Sequence, residues 1–311
     1  MVVSHSLMRP LLGYTGSKYK LLKSLFKFFP DNVETFVDLC CGGCSVGLNV
    51  WADRVIMNDK DLDLIGMYSS FKEQGYEKII ELIEYYLEYY NFSRTEIYGH
   101  SAYGQEWRKG VPGVNKIAYD KMREDFNAVI PEERTFEDFV KFYLLTVYSF
   151  GGQIRWAGHR RFSESVGKAD FTSANKDKLK RFLDRLSGID CEFKGGRFTE
   201  FNFGALTQND FVYVDPPYLI TNASYVLYND GWNENDEREL LKCLDMLNDR
   251  GIKFGLSNVL RYGEKENMLL KEWIKSGDFR VERLEMEYGG ALRNNKKSKE
   301  DIEEVLIMNY R

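Results

Sequence analysis

Nothing in this chain of 311 residues approaches the run of about 20 apolar residues that a membrane span requires. The first ten residues carry neither the apolar stretch nor the small-residue cleavage site of a secretory leader, so a cytoplasmic protein with no membrane partner is expected. Histidine is scarce: His5, His100 and His159 are the full complement, and no two are spaced as a metal-binding pair. Cysteine is an odd five, with Cys40, Cys41 and Cys44 together. Cys41-Gly42-Gly43-Cys44 has the spacing of a redox or zinc half-site, but a second half-site is lacking. Reduced core thiols and no metal are expected. A net positive charge is also missing. At −5, with a pI near 5.5, the chain is not one that coats nucleic acid indiscriminately. Internal repeats are likewise absent.

What is present is a globular composition, 43% hydrophobic and 29% charged, in a chain long enough for one large domain or a core with an insertion. The charge is unevenly placed. Residues 150–185 hold nine basic and four acidic side chains, a net of +5, which leaves −10 for the rest. A localised basic face follows from this asymmetry.

The chemistry centres on Asp215-Pro216-Pro217-Tyr218, which ends the apolar run at residues 211–214. That run reads as a buried strand, stopped by two residues that cannot donate to a ladder. A carboxylate, a carbonyl and an aromatic ring are then held at the carboxyl edge of a sheet, where open α/β folds bind ligands. Such a group suits transfer to an exocyclic amino nitrogen, whose lone pair is delocalised into its ring. Asp215 and the Pro216 carbonyl can each accept one amino hydrogen, while Tyr218 stacks on the flat base. The bland alternative is a strand-to-loop turn with a capping Asp.

Residues 35–39 read as a strand ending at Asp38. A small-residue turn, Cys40 to Ser45, follows, and then a helix at 46–52. Gly42 and Ser45 in that turn let the backbone approach a cofactor. The next strand, 55–57, ends in Asn58-Asp59, an acid placed for ribose hydroxyls, and Asp38 is placed for a cationic amine. Ahead of both, Gly13-Tyr14-Thr15-Gly16-Ser17-Lys18 opens a helix at 19–29 and can receive an anionic group. Residues 61–130 read as helical, with helices at 76–90 and 115–127, and another follows at 136–149. Residues 150–162 combine a glycine turn with Gln153, Arg155, Trp156, Arg160 and Arg161, the side chains of an element that meets base edges and phosphates. Its alternative is a solvated loop. A basic helix at 176–186 leads to strands at 189–193 and 211–214. A helix at 235–247, a strand at 252–256 and a helix at 267–276 come next. Two final strands, 279–287 and 302–310, are joined by a basic loop at 293–299 and imply an antiparallel edge.

Taken in order, these segments resemble the Dam-type, α-class N6-adenine DNA methyltransferases. Tyr14 to Lys18 is similar to that family's N-terminal cofactor motif, Phe36 to Val46 to its methionine-end motif, and Asn58-Asp59 to its ribose acid. Asp215 to Tyr218 is similar to its catalytic motif, with Gly255 to Asn258 and Glu304 to Tyr310 as its later strands. The resemblance implies an α/β, Rossmann-like methyltransferase sheet with an antiparallel C-terminal edge and an inserted, mainly helical target-recognition domain. The boundaries it suggests are 7–67 and 166–311 for the cofactor-binding catalytic domain and 68–165 for the insertion.

It further implies S-adenosyl-L-methionine as cofactor, held by Tyr14, Gly16, Lys18, Asp38, Gly42, Ser45, Asp59, Phe198 and Asp215. Within that set, Asp38 holds the methionine amine, aided by Tyr14 and Lys18, and Phe198 lines the adenine pocket. Asp215, Pro216, Pro217 and Tyr218 are its catalytic group. Double-stranded DNA is the implied partner, met by Gln153, Arg155, Trp156, Arg160 and Arg161. The protein is expected to be bacterial or phage-encoded, a monomer or weak dimer, and a possible companion of a restriction endonuclease. Two departures stand out: Leu39-Cys40 replaces the usual Pro-Phe after the acid, and Cys44 replaces a spaced glycine. The rival readings are a catalytically silent DNA-binding relative and a methyltransferase for another nucleic acid or an amide.

Overall fold

The computed structural model describes residues 7–104, 110–221, 231–284 and 302–311. In chain order its elements begin with α1 (Leu22–Leu25), β1 (Thr35–Asp38), β2 (Arg54–Asp59), α2 (Leu62–Tyr89), α3 (Thr95–Tyr98), α4 (Pro112–Ala128) and α5 (Phe136–Tyr148). They continue with β3 (Trp156–Ala157), β4 (Arg161–Phe162), α6 (Ser173–Ser187), β5 (Cys191–Gly195) and β6 (Phe211–Val214). The last are α7 (Glu234–Asp249), β7 (Lys253–Tyr262), β8 (Lys265–Glu266), α8 (Met268–Ser276), β9 (Arg280–Arg283) and β10 (Ile302–Met308). The chain divides into a sheet unit, with the described residues of 17–60, 189–221 and 231–311, and a helical unit, with those of 7–16 and 61–188. The helical unit is wider than residues 68–165, because α6 packs along α2, with the rings of Tyr68 and Phe182 5.5 Å apart.

In the sheet unit the strand order is β5-β2-β1-β6-β7-β10-β9, with β8 paired to β7. The pairings from β5 to β7 are parallel, whereas β10 runs antiparallel to both β7 and β9. The expected mixed sheet with an antiparallel edge is therefore present. The order reverses between β1 and β6, the switch point at which open α/β sheets form a crevice. These two strands read as near-continuous apolar runs because both faces are covered. On one face Val37, Val212 and Val214 pack with Leu240, Leu244 and Leu247 of α7 and with Leu270 and Trp273 of α8. On the other, the Phe29 ring lies 5.7 Å from Phe36, 5.1 Å from Phe211 and 5.3 Å from Tyr213.

Several local expectations change. The helix expected at 19–29 is a 3-10 turn, Lys18–Leu21, followed by the four-residue α1. Residues 46–52 form turns rather than a helix, with Leu48 N–H bonded to Cys44 and Asn49 N–H to Val46, a mixture of i−4 and i−3 bonds in a segment too short to sustain a helix alone. The strand expected at 252–256 extends to Tyr262. The basic loop at 293–299 and residues 285–287 of its preceding strand lie outside the described residues.

In the helical unit, α2 begins at an Asp61 cap and is interrupted at Gly75, whose φ of 75° and ψ of 171° are not helical. The loop expected at 150–162 is instead a hairpin: β3 pairs antiparallel with β4 after a turn at Phe150–Gly152. Gly151 and Gly152 have φ of 65° and 69°, values at which a side chain would be strained. No described helix is long and apolar enough to cross a membrane.

Candidate active site

Three acids sit at neighbouring strand ends of the sheet unit. Asp38 closes β1, Asp59 closes β2, and Asp215 follows β6. Backbone donors orient two of them: Gly47 N–H donates to Asp38 Oδ2 at 2.9 Å, and Gly42 N–H to Asp59 Oδ2 at 2.8 Å. The turn that supplies these donors is tight, with Gly42 at φ 46° and Cys44 at φ 57°. Cys44 thus adopts a left-handed conformation although it carries a side chain. Ser45 is buried, its carbonyl accepting from Asn49 Nδ2 at 2.9 Å. All five cysteines are unbridged; the Cys41 and Cys44 sulfurs lie 3.5 Å apart. Burial pushes the thiols of Cys40, Cys41 and Cys44 up, leaving them protonated and unreactive.

Burial also raises Asp38 to about 7, opposed by the Gly47 N–H and reinforced by the charges of Asp215 and Asp59. Its Oδ1 accepts no hydrogen bond among the described residues. A buried carboxylate with this shortfall of positive charge fits an amine, as the methionine end of S-adenosyl-L-methionine would present. Phe198, also buried, stands with its ring 5.6 Å from that of Trp232. Trp232 donates to Glu237 Oε2 at 2.6 Å, and Glu237 Oε1 accepts from Asn258 at 3.1 Å and from Asn267 at 2.9 Å. The Ser257-Asn258 segment therefore props the aromatic pair through Glu237, a link the sequence did not reveal.

Asp215 is held by two donors. Lys18 Nζ lies 2.7 Å from its Oδ1, and the Tyr218 hydroxyl donates to the same oxygen at 3.1 Å. Desolvation raises the Asp215 carboxyl, and Lys18 and Tyr218 oppose the shift. Its Oδ2 and the Pro216 carbonyl accept no hydrogen bond among the described residues, so both lone-pair sets remain available. Pro217 leaves the turn exposed. Lys18, expected beside the methionine amine, reaches Asp215 instead and lies 5.0 Å from the centroid of the Tyr218 ring. The missed member of this group is Glu304 on β10, whose Oε1 is 3.1 Å from the Tyr218 hydroxyl and 3.6 Å from Lys18 Nζ. The signal for it is Glu303-Glu304, two acids directly before the continuous apolar run at residues 305–308.

Tyr14 and Gly16 belong to the helical unit, Gly16 with φ 82°. In the same unit the hairpin side chains separate into two groups. Gln153 makes no side-chain hydrogen bond among the described residues. Arg155 is 63% exposed, with a long 3.3 Å pair to Glu164, and Arg161 is exposed. Trp156 and Arg160, expected to meet DNA, turn inward. The Trp156 ring stacks on Phe142 at 5.3 Å, and its N–H donates to Asp61 at 3.0 Å. Arg160 pairs with the fully buried Asp63 at 2.8 Å, alongside Arg134 at 2.7 Å. Buried acids at the start of α2 need these donors, since an uncompensated buried charge is strongly destabilising.

Residues 14–288 match the family described as D12 class N6 adenine-specific DNA methyltransferases. Modification methylase StsI of Streptococcus sanguinis is 35% identical over 307 residues, covering 96% of this chain and 42% of that protein. Type II methyltransferase M.FokI of Planomicrobium okeanokoites is 34% identical over 315 residues, covering 99% of this chain and 44% of that protein. The DNA adenine methylase of Escherichia coli K12 is 23% identical over 306 residues, 96% of this chain and 95% of that protein. The chain spans less than half the length of the first two relatives. The resemblance drawn from the ordered motifs is borne out, and the chain belongs to the D12 class N6 adenine-specific DNA methyltransferase family.

Proposed function

We propose that this protein transfers a methyl group from S-adenosyl-L-methionine to N6 of an adenine flipped out of duplex DNA. The cofactor supplies a methyl group already activated on its sulfonium, so the protein's task is to bind, orient and exclude water. Asp38 holds the amine, Asp59 the ribose, and Phe198 with Trp232 the adenine of the cofactor. Asp215 Oδ2 and the Pro216 carbonyl take the two amino hydrogens of the target, drawing its nitrogen lone pair out of the ring. Tyr218 stacks on the base. Gln153, Arg155 and Arg161 meet the DNA, while Trp156 and Arg160 hold their hairpin in shape. The helical unit acts as the target-recognition domain.

The observation that carries this reading is the pair of available acceptors, Asp215 Oδ2 and the Pro216 carbonyl, at the sheet's switch point. The names modification methylase and type II methyltransferase among the relatives support a role beside a restriction endonuclease. Methylation-sensitive long-read sequencing of DNA from cells expressing the gene tests the proposal. Modified adenine in one recurring sequence supports it, and unmodified adenine throughout refutes it.

A further inference from the structure

Glu304 reaches the candidate site from β10, beside a break in strand register. β10 pairs with β7 so that Glu303 faces Arg261 and Glu304 faces Val259, with a bulge between the two glutamates. A bulge beside a site is a device for re-aiming a side chain. The extra residue is Leu260 of β7, and the two acids separate because successive side chains of a strand point to opposite faces. Glu303 goes to Arg283 at 2.7 Å and to Arg261 at 4.0 Å, out on the sheet edge. Glu304 goes to Tyr218 and Lys18, with only 16% of its side chain exposed. Among the described residues, Lys18 is the cation that faces Glu304, and Asp215, Tyr218 and Tyr213 are the other titratable groups that interact with it.

The hydrogens decide what this arrangement means. The Tyr218 hydroxyl lies 3.1 Å from both Asp215 Oδ1 and Glu304 Oε1, but it owns one hydrogen. Lys18 is 2.7 Å from Asp215 and 3.6 Å from Glu304, so the ammonium favours ionised Asp215 over ionised Glu304. Two partly buried carboxylates then share one cation, and the more distant of them lacks a compensating charge. A proton on Glu304 resolves both problems. It bridges to the Tyr218 oxygen, the Tyr218 hydrogen goes to Asp215, and the group of Lys18, Asp215 and Glu304 becomes neutral.

We propose that Glu304 is a positioning residue, held as a neutral carboxyl, that fixes Tyr218 and Lys18 against Asp215 and keeps Asp215 ionised for the substrate amino group. The inference rests on the proposed reading for the last clause only. The direction of the Glu304 shift agrees: desolvation raises it, and Asp215 raises it further against Lys18.

The test uses the full-length protein, wild type, Glu304→Gln and Glu304→Ala. The infrared difference spectrum of wild type minus Glu304→Gln at pH 7, without ligand, should show one protonated-carboxyl band. A carboxylate band in its place overturns the proposal, whatever the protein's activity. Methyl incorporation from S-adenosyl-L-methionine into unmethylated genomic DNA should stay within about threefold of wild type in Glu304→Gln, the neutral mimic. In Glu304→Ala, kcat should fall at least tenfold, with KM for DNA and calorimetric affinity for S-adenosyl-L-methionine little changed. A tenfold loss in Glu304→Gln, or full activity in Glu304→Ala, overturns it. If Glu304→Ala does not fold, the infrared band and the Glu304→Gln activity still decide. Wild type that methylates no DNA defeats the functional reading instead, and the infrared result stands apart from it.

Discussion

The backbone N–H of Gly47 lies 2.9 Å from Asp38 Oδ2, and the same residue is packed too tightly to carry a side chain. A Cβ at Gly47 would come within 2.7 Å of Met57 Cγ and 3.2 Å of Asp38 Oδ2. Gly47→Ala therefore forces apart the acid, its donor and a buried methionine. The expected cost is roughly 1–3 kcal/mol of stability, the range for overpacking a filled site. Urea denaturation measures it, and wild-type stability would mean that Met57 and Asp38 yield without strain.

Asp38 also makes a pH prediction. Its ordinary value is 3.8, and burial lifts it to about 7 in the folded protein. The folded state therefore binds more protons than the unfolded chain between these values. The contribution of this group to stability is fully present below pH 3.8 and is lost as pH rises through about 7. Asp38→Asn should thus raise Tm relative to wild type at pH 8 in the absence of ligand, with the difference gone at pH 3.5. An amine-bearing ligand needs the ionised form. Affinity for S-adenosyl-L-methionine should fall by up to about tenfold per pH unit below 7, and Asp38→Asn should abolish that slope. A slope shared by both proteins would assign the proton elsewhere.

Arg155 and Arg160, five residues apart, should behave differently. Arg160→Ala removes charge-assisted bonds from buried Asp63, while Arg134 remains, so a loss of about 1–3 kcal/mol of stability is expected. Arg155 is largely exposed. Arg155→Ala should lower Tm by less than Arg160→Ala, because Glu164 keeps its two Ser165 donors, and should cost about 1–3 kcal/mol of binding on the cognate duplex alone. Thermal melts and binding on cognate and scrambled duplexes separate the two. Equal weakening on both duplexes would make Arg155 a phosphate contact.

Much of this was legible in the residues. The central strands announced themselves as short apolar runs, and each ended in the acid that now marks the site, because a strand's end is a local property of sequence. Asp38, Asp59 and Asp215 were found that way. Trp156 and Arg160 misled because composition does not say which way a hairpin side chain turns. Their direction is set by Asp61 and Asp63, about a hundred residues earlier, whose burial creates a demand for donors. Glu304 is missed for a related reason: the pairing of β10 with β7, which carries it to Tyr218, joins segments whose sequences do not announce the contact. The helix expected after Cys44 gives way to turns, in which Leu48 bonds back four residues to Cys44 and Asn49 only three to Val46.

The central claim is that Asp215 directs a methyl group onto an adenine amino nitrogen. It is tested most directly by mass spectrometry of nucleosides from unmethylated DNA incubated with the protein and isotopically labelled S-adenosyl-L-methionine. Wild type should yield labelled N6-methyldeoxyadenosine. Asp215→Ala should yield at least ~100-fold less, the scale of losing one well-placed polar group, with calorimetric affinity for the cofactor nearly unchanged. Label found only in cytosine, or Asp215→Ala as active as wild type, would contradict the account.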